Sequence, residues 1–310
     1  MPESTPGAPP PTVLESAPTQ LRAIRMNAIL LADCPDRPGL VADVAAWIRH
    51  HGGNVLDLEQ HVARDDDRFF LRTVWDCEGF GLSLDDARAR FAEEIAGPAD
   101  MTWRLFDGSR RPRVALFVSR LSHCLFDLLS RAHAGELPAE LCLVVSNHEA
   151  LRPVAERFDL PFAHVPVTRD TKPAAEAAQR ALLAEHDVDL VVLARYMQIL
   201  SAEFVDAWEG RIINIHHSFL PAFPGAKPYH QAHARGVKVI GATSHFVTSV
   251  LDDGPIIAQD VVRVSHRDDA SDLVRKGRDV EKLVLARAVR AYCERRVWTY
   301  GRRTVVFGEH

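Results

Sequence analysis

Apolar positions along the chain follow two different rhythms, and the change falls near residue 110. Upstream, MNAILLA reads as a strand, and the turn DCPDRPGL carries a proline, Pro38, suited to opening a helix. VADVAAWIRHHGG then has the three-and-four spacing of an amphipathic helix, closed by Gly52 and Gly53. NVLDLEQHVA and RFFLRTVWD read as two strands joined across the acidic turn at 65–67. SLDDARARFAEEIAG is helical with Ser83 as its N-cap, and MTWRLFD supplies a last strand. The order βαββαβ predicts a ferredoxin-like module over 23–107, followed by GSRRP at 108–112 as a linker.

From 113 to 310 the rhythm is strand, helix, strand, helix. RVALFVS, LCLVVSN, PFAHVPV and VDLVVLARY alternate with CLFDLLSRAHAG, HEALRPVAERFD and KPAAEAAQRALLAEHD. Near-continuous apolar strands between helices predict a mostly parallel, Rossmann-like sheet buried on both faces, in an α/β chain overall. There is no internal repeat, no GxGxxG and no P-loop, and the first strand of this half runs into SRLSHCL.

Composition narrows the function. At 310 residues and 47% hydrophobic content the chain has ample material for packed cores, while a net charge of -5 gives no electrostatic footprint for nucleic acid or anionic lipid. No run reaches the length of a membrane helix. The first 22 residues, rich in Pro, Ser, Thr and Ala, read as a disordered tail without a signal-peptide core. Five cysteines without a CxxC pair fit reduced thiols and a cytoplasmic protein. A small-molecule partner is the expectation.

Candidate chemistry begins at IINIHHSFLPAFPG. On a strand Asn214 and His216 point to one side and His217 to the other, so the adjacent histidines do not chelate one metal; HExxH and zinc-type Cys/His spacings are absent too. An amide and an imidazole at the carboxyl end of a sheet strand suit an oxyanion donor and a titratable acid or base. The following segment, GATSHFVTSVLDDGPIIAQDVV, predicts two strands about a turn holding Asp252. Taken alone, Asp-Asp-Gly-Pro is ordinary turn chemistry, and His216 reads equally well as a core histidine.

Four segments together, INIHHSFLPAFPGAKPYHQA, GATSHFVTSVLDDGPIIAQD, LARYMQILS and RKGRDVEKLVLARAVRAYCERRVWTYGRRTVVF, resemble the formyltetrahydrofolate deformylases, hydrolases of the folate formyltransferase superfamily. The resemblance spans nearly all of 26–307. It implies hydrolysis of 10-formyltetrahydrofolate to formate and tetrahydrofolate, supplying formate for purine synthesis and balancing the one-carbon folate pool. It further implies catalysis by Asn214, His216 and Asp252, with no cofactor beyond the folate substrate. The folate pocket is expected against Met197, Gln198, Ile199 and Leu200, with His245 and Val247 opposite, and Ser218 and FLPAFPG shaping its floor while His217 faces away. The N-terminal module resembles an ACT domain, which implies a small amino-acid effector near Asp36, Arg37 and Gly39 and a homo-oligomer formed through ACT edges. Three rival readings are a formyltransferase, a catalytically silent amino-acid sensor and a metalloenzyme. The absence of a glycine-rich phosphate loop and of an acceptor site weighs against the first, and the three catalytic residues against the second. The histidine spacing weighs against the third.

Overall fold

A computed structural model of the chain describes residues 26–222 and 228–308; the expected N-terminal tail lies outside the described residues. The N-terminal unit is β1 (Asn27–Pro35), α1 (Leu40–His50), β2 (Asn54–Ala63), β3 (Arg68–Asp76), α2 (Leu84–Phe91) and β4 (Thr102–Asp107). Its four strands pair antiparallel in the order β2-β3-β1-β4, the ferredoxin-like arrangement that the βαββαβ pattern predicts. Ser83 caps α2 as expected, its Oγ accepting from the backbone N–H of Asp86 at 3.1 Å. The helical segment after it is not uniform: beyond Phe91 the chain continues as a π-turn, Ala92–Ala96. Leu40, Val44, Trp47 and Ile48 put the apolar stripe of α1 onto the sheet, against Leu30, Ala32 and Phe91.

The larger unit contains β5 (Arg113–Val118), α3 (His123–His133), β6 (Glu140–Ser146), α4 (Arg152–Glu156), β7 (Phe162–His164), α5 (Lys172–Glu185), β8 (Leu190–Leu193), α6 (Ala202–Ala207) and β9 (Ile212–His216). It continues with α7 (Pro228–Arg235), β10 (Val239–Phe246), β11 (Ile256–Arg263), α8 (Ala270–Cys293) and a hairpin of β12 (Val297–Tyr300) and β13 (Arg303–Val306). Seven strands form one sheet in the order β11-β10-β9-β8-β5-β6-β7. Pairing is parallel from β9 to β7, and β10 and β11 are added antiparallel.

Alternation along the strands sorts the core into two layers. Val114, Leu116, Leu190, Val192, Ile213 and Ile215 pack under α3 and α8. Their neighbours Ala115, Phe117, Val191, Leu193 and Ile212 pack on the other face with Leu183 of α5 and Phe204 of α6. After β7 the chain returns to the opposite side of β5 to form β8, so the strand order reverses between β5 and β8. In open α/β sheets such a switch point opens a crevice at the carboxyl ends of the strands.

Two expectations change. HEALRPVAERFD forms only a 3-10 turn, Glu149–Leu151, and the five-residue α4, with Pro153 in its first turn. VDLVVLARY is strand only over Leu190–Leu193, because Arg195 adopts a left-handed backbone (φ 66°) that ends the pairing.

Candidate active site

The carboxyl ends of β8 and β9 and the turn between β10 and β11 converge on one cavity of about 590 Å³. Asn214 and His216 project from the same face of β9, two residues apart. Asp252 arrives from the β10–β11 turn, itself left-handed (φ 55°), a conformation that Asp tolerates better than most residues. Gly254 is needed beside it: a Cβ there would lie 1.7 Å from the carbonyl oxygen of Phe246. The Asp-Asp-Gly-Pro turn therefore presses onto the end of β10, and that contact delivers Asp252 to the histidines.

Hydrogen bonds fix the roles of the rings. His216 Nδ1 lies 3.2 Å from Asp252 Oδ1, and His216 Nε2 is buried with no hydrogen-bond partner. A bond from Nδ1–H to the carboxylate leaves Nε2 as the working atom of the imidazole. The hydrogen bond from His216, ahead of the opposing effect of burial, holds the Asp252 carboxyl below its ordinary range. His245 Nδ1 lies 2.7 Å from the Phe246 carbonyl oxygen, which can only accept, so Nδ1 carries the hydrogen. Its Nε2 is then an acceptor for the Asn214 amide at 3.3 Å. Burial lowers the pKa of His245, which keeps that acceptor unprotonated. One N–H of Asn214 is held, and the amide is thereby aimed.

The stretch 197–200 forms a facing wall that is pinned at both ends. Met197 donates its backbone N–H to Ser119 Oγ at 2.9 Å, and Tyr196 OH accepts from Gln179 Nε2 at 2.9 Å. Ser201 caps α6 and hydrogen bonds to Glu176 of α5 through both its backbone N–H and its hydroxyl. On this rigid base Met197 and Ile199 are 58% and 63% exposed, and across the cavity Val250 and Leu251 are 60% and 63% exposed. Four large apolar side chains left to water around a polar triad are what an aromatic ligand with a reactive polar centre would cover.

A profile of the Formyl transferase family matches residues 112–289, and a profile of the ACT domain matches 28–92. Formyltetrahydrofolate deformylase of Synechocystis is 49% identical over 282 residues, covering 91% of this chain and 99% of that protein. The chain belongs to the formyltetrahydrofolate deformylase family. The crystal structure of a formyltetrahydrofolate deformylase from Pseudomonas syringae superposes with a TM-score of 0.89 at 48% identity, over 93% of this chain and 96% of that one. Glycinamide ribonucleotide transformylase 1 from Symbiobacterium toebii shares the larger unit alone: TM-score 0.60, 34% identity, 63% of this chain and 94% of that one.

Within this deformylase-family cavity, all nine residues expected at the catalytic centre and folate wall are brought together: Asn214, His216, Asp252, Met197, Gln198, Ile199, Leu200, His245 and Val247. His217 departs from the expectation. Strand β9 ends at His216, alternation stops there, and His217 lines the same cavity. Burial, then the Arg195 cation, push its pKa down to about 4. Ser218 also departs: its Oγ donates to the Ala222 carbonyl at 2.7 Å, and with Phe219 it lines a neighbouring apolar cavity instead. Residues 223–225 of FLPAFPG lie outside the described residues.

In the ACT unit, Asp36, Arg37 and Gly39 lie in the exposed loop before α1, with Gly39 at its N-cap. Arg37 lines a cleft of about 510 Å³ with Asp43, Trp47 and Glu94; Asp36 and Gly39 are not part of its wall.

Glu281, Arg195, Tyr229 and His123 also line the active cavity and escaped sequence reasoning. Glu281 sits mid-helix in a charged stretch of α8, and nothing local marks it as buried. His123, Cys124 and Glu281 bring donor atoms within 4.8 Å of one another. Arg195 already lies against that carboxylate, and burial holds the Cys124 thiol well above its ordinary pKa, so the thiolate a metal needs is disfavoured.

Proposed function

We propose that this chain hydrolyses 10-formyltetrahydrofolate to formate and tetrahydrofolate in the cavity at the ends of β8 and β9. The observation that carries the reading is the aligned set Asn214, His216 and Asp252 beside an exposed apolar wall. The pterin ring occupies the space between 197–200 and 247–251, and the formyl group lies over His216 Nε2.

Water attacks the formyl carbon, and Asp252, ionised and hydrogen bonded to His216, takes a proton from it. The carbonyl oxygen becomes an anion, held by the free N–H of Asn214 and by Nε2–H of His216, whose ring enters this step with a hydrogen on both nitrogens. The C–N10 bond then breaks, and His216 Nε2 delivers the proton that N10 needs as it departs. Solvent then returns a proton to Nε2, and Asp252 gives up to solvent the proton it took from water, while Nδ1–H stays on the carboxylate throughout. The reaction so drawn uses water and these side chains and needs no further cofactor.

The direct test is release of formate and tetrahydrofolate in equal amounts in buffer free of any amine. Release that requires an added amine would replace this reading with formyl transfer.

The ACT unit we assign to a small amino-acid effector whose carboxylate meets Arg37 and whose amine meets Glu94 or Asp43, all on one cleft. Calorimetric titration with the free amino acids tests this, and absence of heat with every one of them would sink it. Among the described residues β2 and β4 are the edge strands of that sheet, and pairing through one of them would give a homo-oligomer. The five unpaired cysteines support a cytoplasmic location. No helix of the described residues is long and apolar enough to cross a membrane.

A further inference from the structure

The active cavity has a second wall that hydrolysis leaves idle. Glu281 is only 1% exposed, yet both carboxylate oxygens are satisfied. Oε1 accepts from Tyr229 OH at 2.6 Å, and Oε2 faces His123 Nε2 at 2.8 Å with Arg195 Nε 3.5 Å away. Burial by itself would raise the pKa of Glu281, but His123, Arg195 and Tyr229 together outweigh it and leave the value lowered. Burial and the Glu281 anion push the Tyr229 phenol upward, so its hydrogen stays in place as a donor.

This network abuts the catalytic strand. The Tyr229 ring stands edge-on to His217, with ring centres 6.0 Å apart, and His217 lies 5.2 Å from His216 by the same measure. At its far end His123 lines both the active cavity and an open groove of about 670 Å³ along α8. His230, Val274 and Arg278 line both as well, so His123 is the part of the partition on this flank that touches Glu281.

We propose that the Glu281 network makes the site selective for water as formyl acceptor, by filling the flank through which an amine would have to reach the formyl carbon. The inference rests on the hydrolytic reading above and specifies its second substrate. Hydrolysis and transfer differ only in the nucleophile. With water a C–O bond forms, C–N10 breaks, one water proton goes to N10 and the other is lost as formate ionises. With an amine a C–N bond forms, C–N10 breaks, and an amine proton goes to N10. Access therefore decides between them. Glu281 is the carboxylate best placed on this wall to hold an incoming N–H, and both its oxygens are engaged. An amine entering there would have to break a buried, paired set of polar groups, which is the kind of penalty that discriminates strongly between substrates. Water needs far less room and can approach Asp252 directly.

The test gives the full-length enzyme 10-formyltetrahydrofolate with hydroxylamine, a compact amine, and measures the ratio of formohydroxamate to formate after subtracting the uncatalysed reaction. The ratio is read whatever the total rate. Wild type yields formate almost alone. His123→Ala, which opens the partition, raises the ratio about tenfold or more. His123→Gln, which refills the space and still donates to Glu281, brings it back toward wild type. If His123→Ala does not fold, Tyr229→Phe, which drops one hydroxyl from the network, takes its place with the same expected direction. An unchanged ratio in the folded variant, or a wild-type ratio that climbs in proportion to hydroxylamine, overturns the proposal. A wild type that makes no formate without an amine refutes the hydrolytic reading itself, which is a separate outcome.

Discussion

At the scale of single residues, the site is a set of side chains whose protonation is fixed by neighbours. His245 must keep Nδ1–H because a carbonyl faces it, and only then can its other nitrogen hold the Asn214 amide. His217 has a consequence for stability. Folded, its pKa lies at about 4 against an ordinary 6.5, so between those values the unfolded chain binds a proton that the folded chain refuses. Stability contributed by neutral His217 is therefore present above about pH 6.5 and is lost as pH falls toward 4, by at most about 1.4 kcal/mol per pH unit. His217→Gln removes this component. Urea unfolding at pH 7 and pH 5 should show a smaller loss on acidification in the variant than in wild type; equal losses would contradict the assignment. His245 acts in the same direction and leaves part of the slope in place. Types and spacing raised Asn214, His216 and Asp252 as candidates without deciding between site and structure, and the resemblance gave them roles. What spacing hid was His217, because nothing in the letters IINIHH tells where pairing stops.

At the scale of elements, periodicity gave both sheets and most helices, since each strand and helix here buries a face. It failed where local backbone geometry overrides the pattern. With Arg195 left-handed, β8 ends at Leu193, three residues before the predicted strand does, and the π-turn Ala92–Ala96 interrupts a continuous helical pattern. Helix α8 shows a further limit. Gly277 reads as a weak point in a long helix, but a Cβ there would fall 2.1 Å from the Tyr229 ring, so its absence is what lets α7 close on α8. That approach seats Tyr229 on Glu281, and neither partner is visible without the tertiary structure. The C-terminal hairpin was unread for the same reason: its strands are four residues each and are held by what they pack against.

At the scale of the whole molecule, that hairpin joins the two units. Trp298 and Phe307 pack with Leu31 and Phe70 of the ACT sheet, and Arg72 of β3 donates from Nε to the Arg295 carbonyl at 3.0 Å. On its other side Thr304 Oγ1 donates to the Ile256 carbonyl at 2.6 Å, and Arg302 pairs with Asp253, the neighbour of Asp252. The ACT sheet and the catalytic turn thus share one small element, although Arg302 and Asp253 are exposed and their pairing contributes little by itself. The full chain is accordingly the right object for the decisive experiment. Formate release from 10-formyltetrahydrofolate, without amine, is compared between wild type and Asp252→Asn, with matching thermal unfolding to show that both are folded. The account predicts a fall in kcat of about 10² to 10⁴ with KM changed little, since Asp252 works on water and not on the pterin. An Asp252→Asn enzyme within a few-fold of wild type would contradict it.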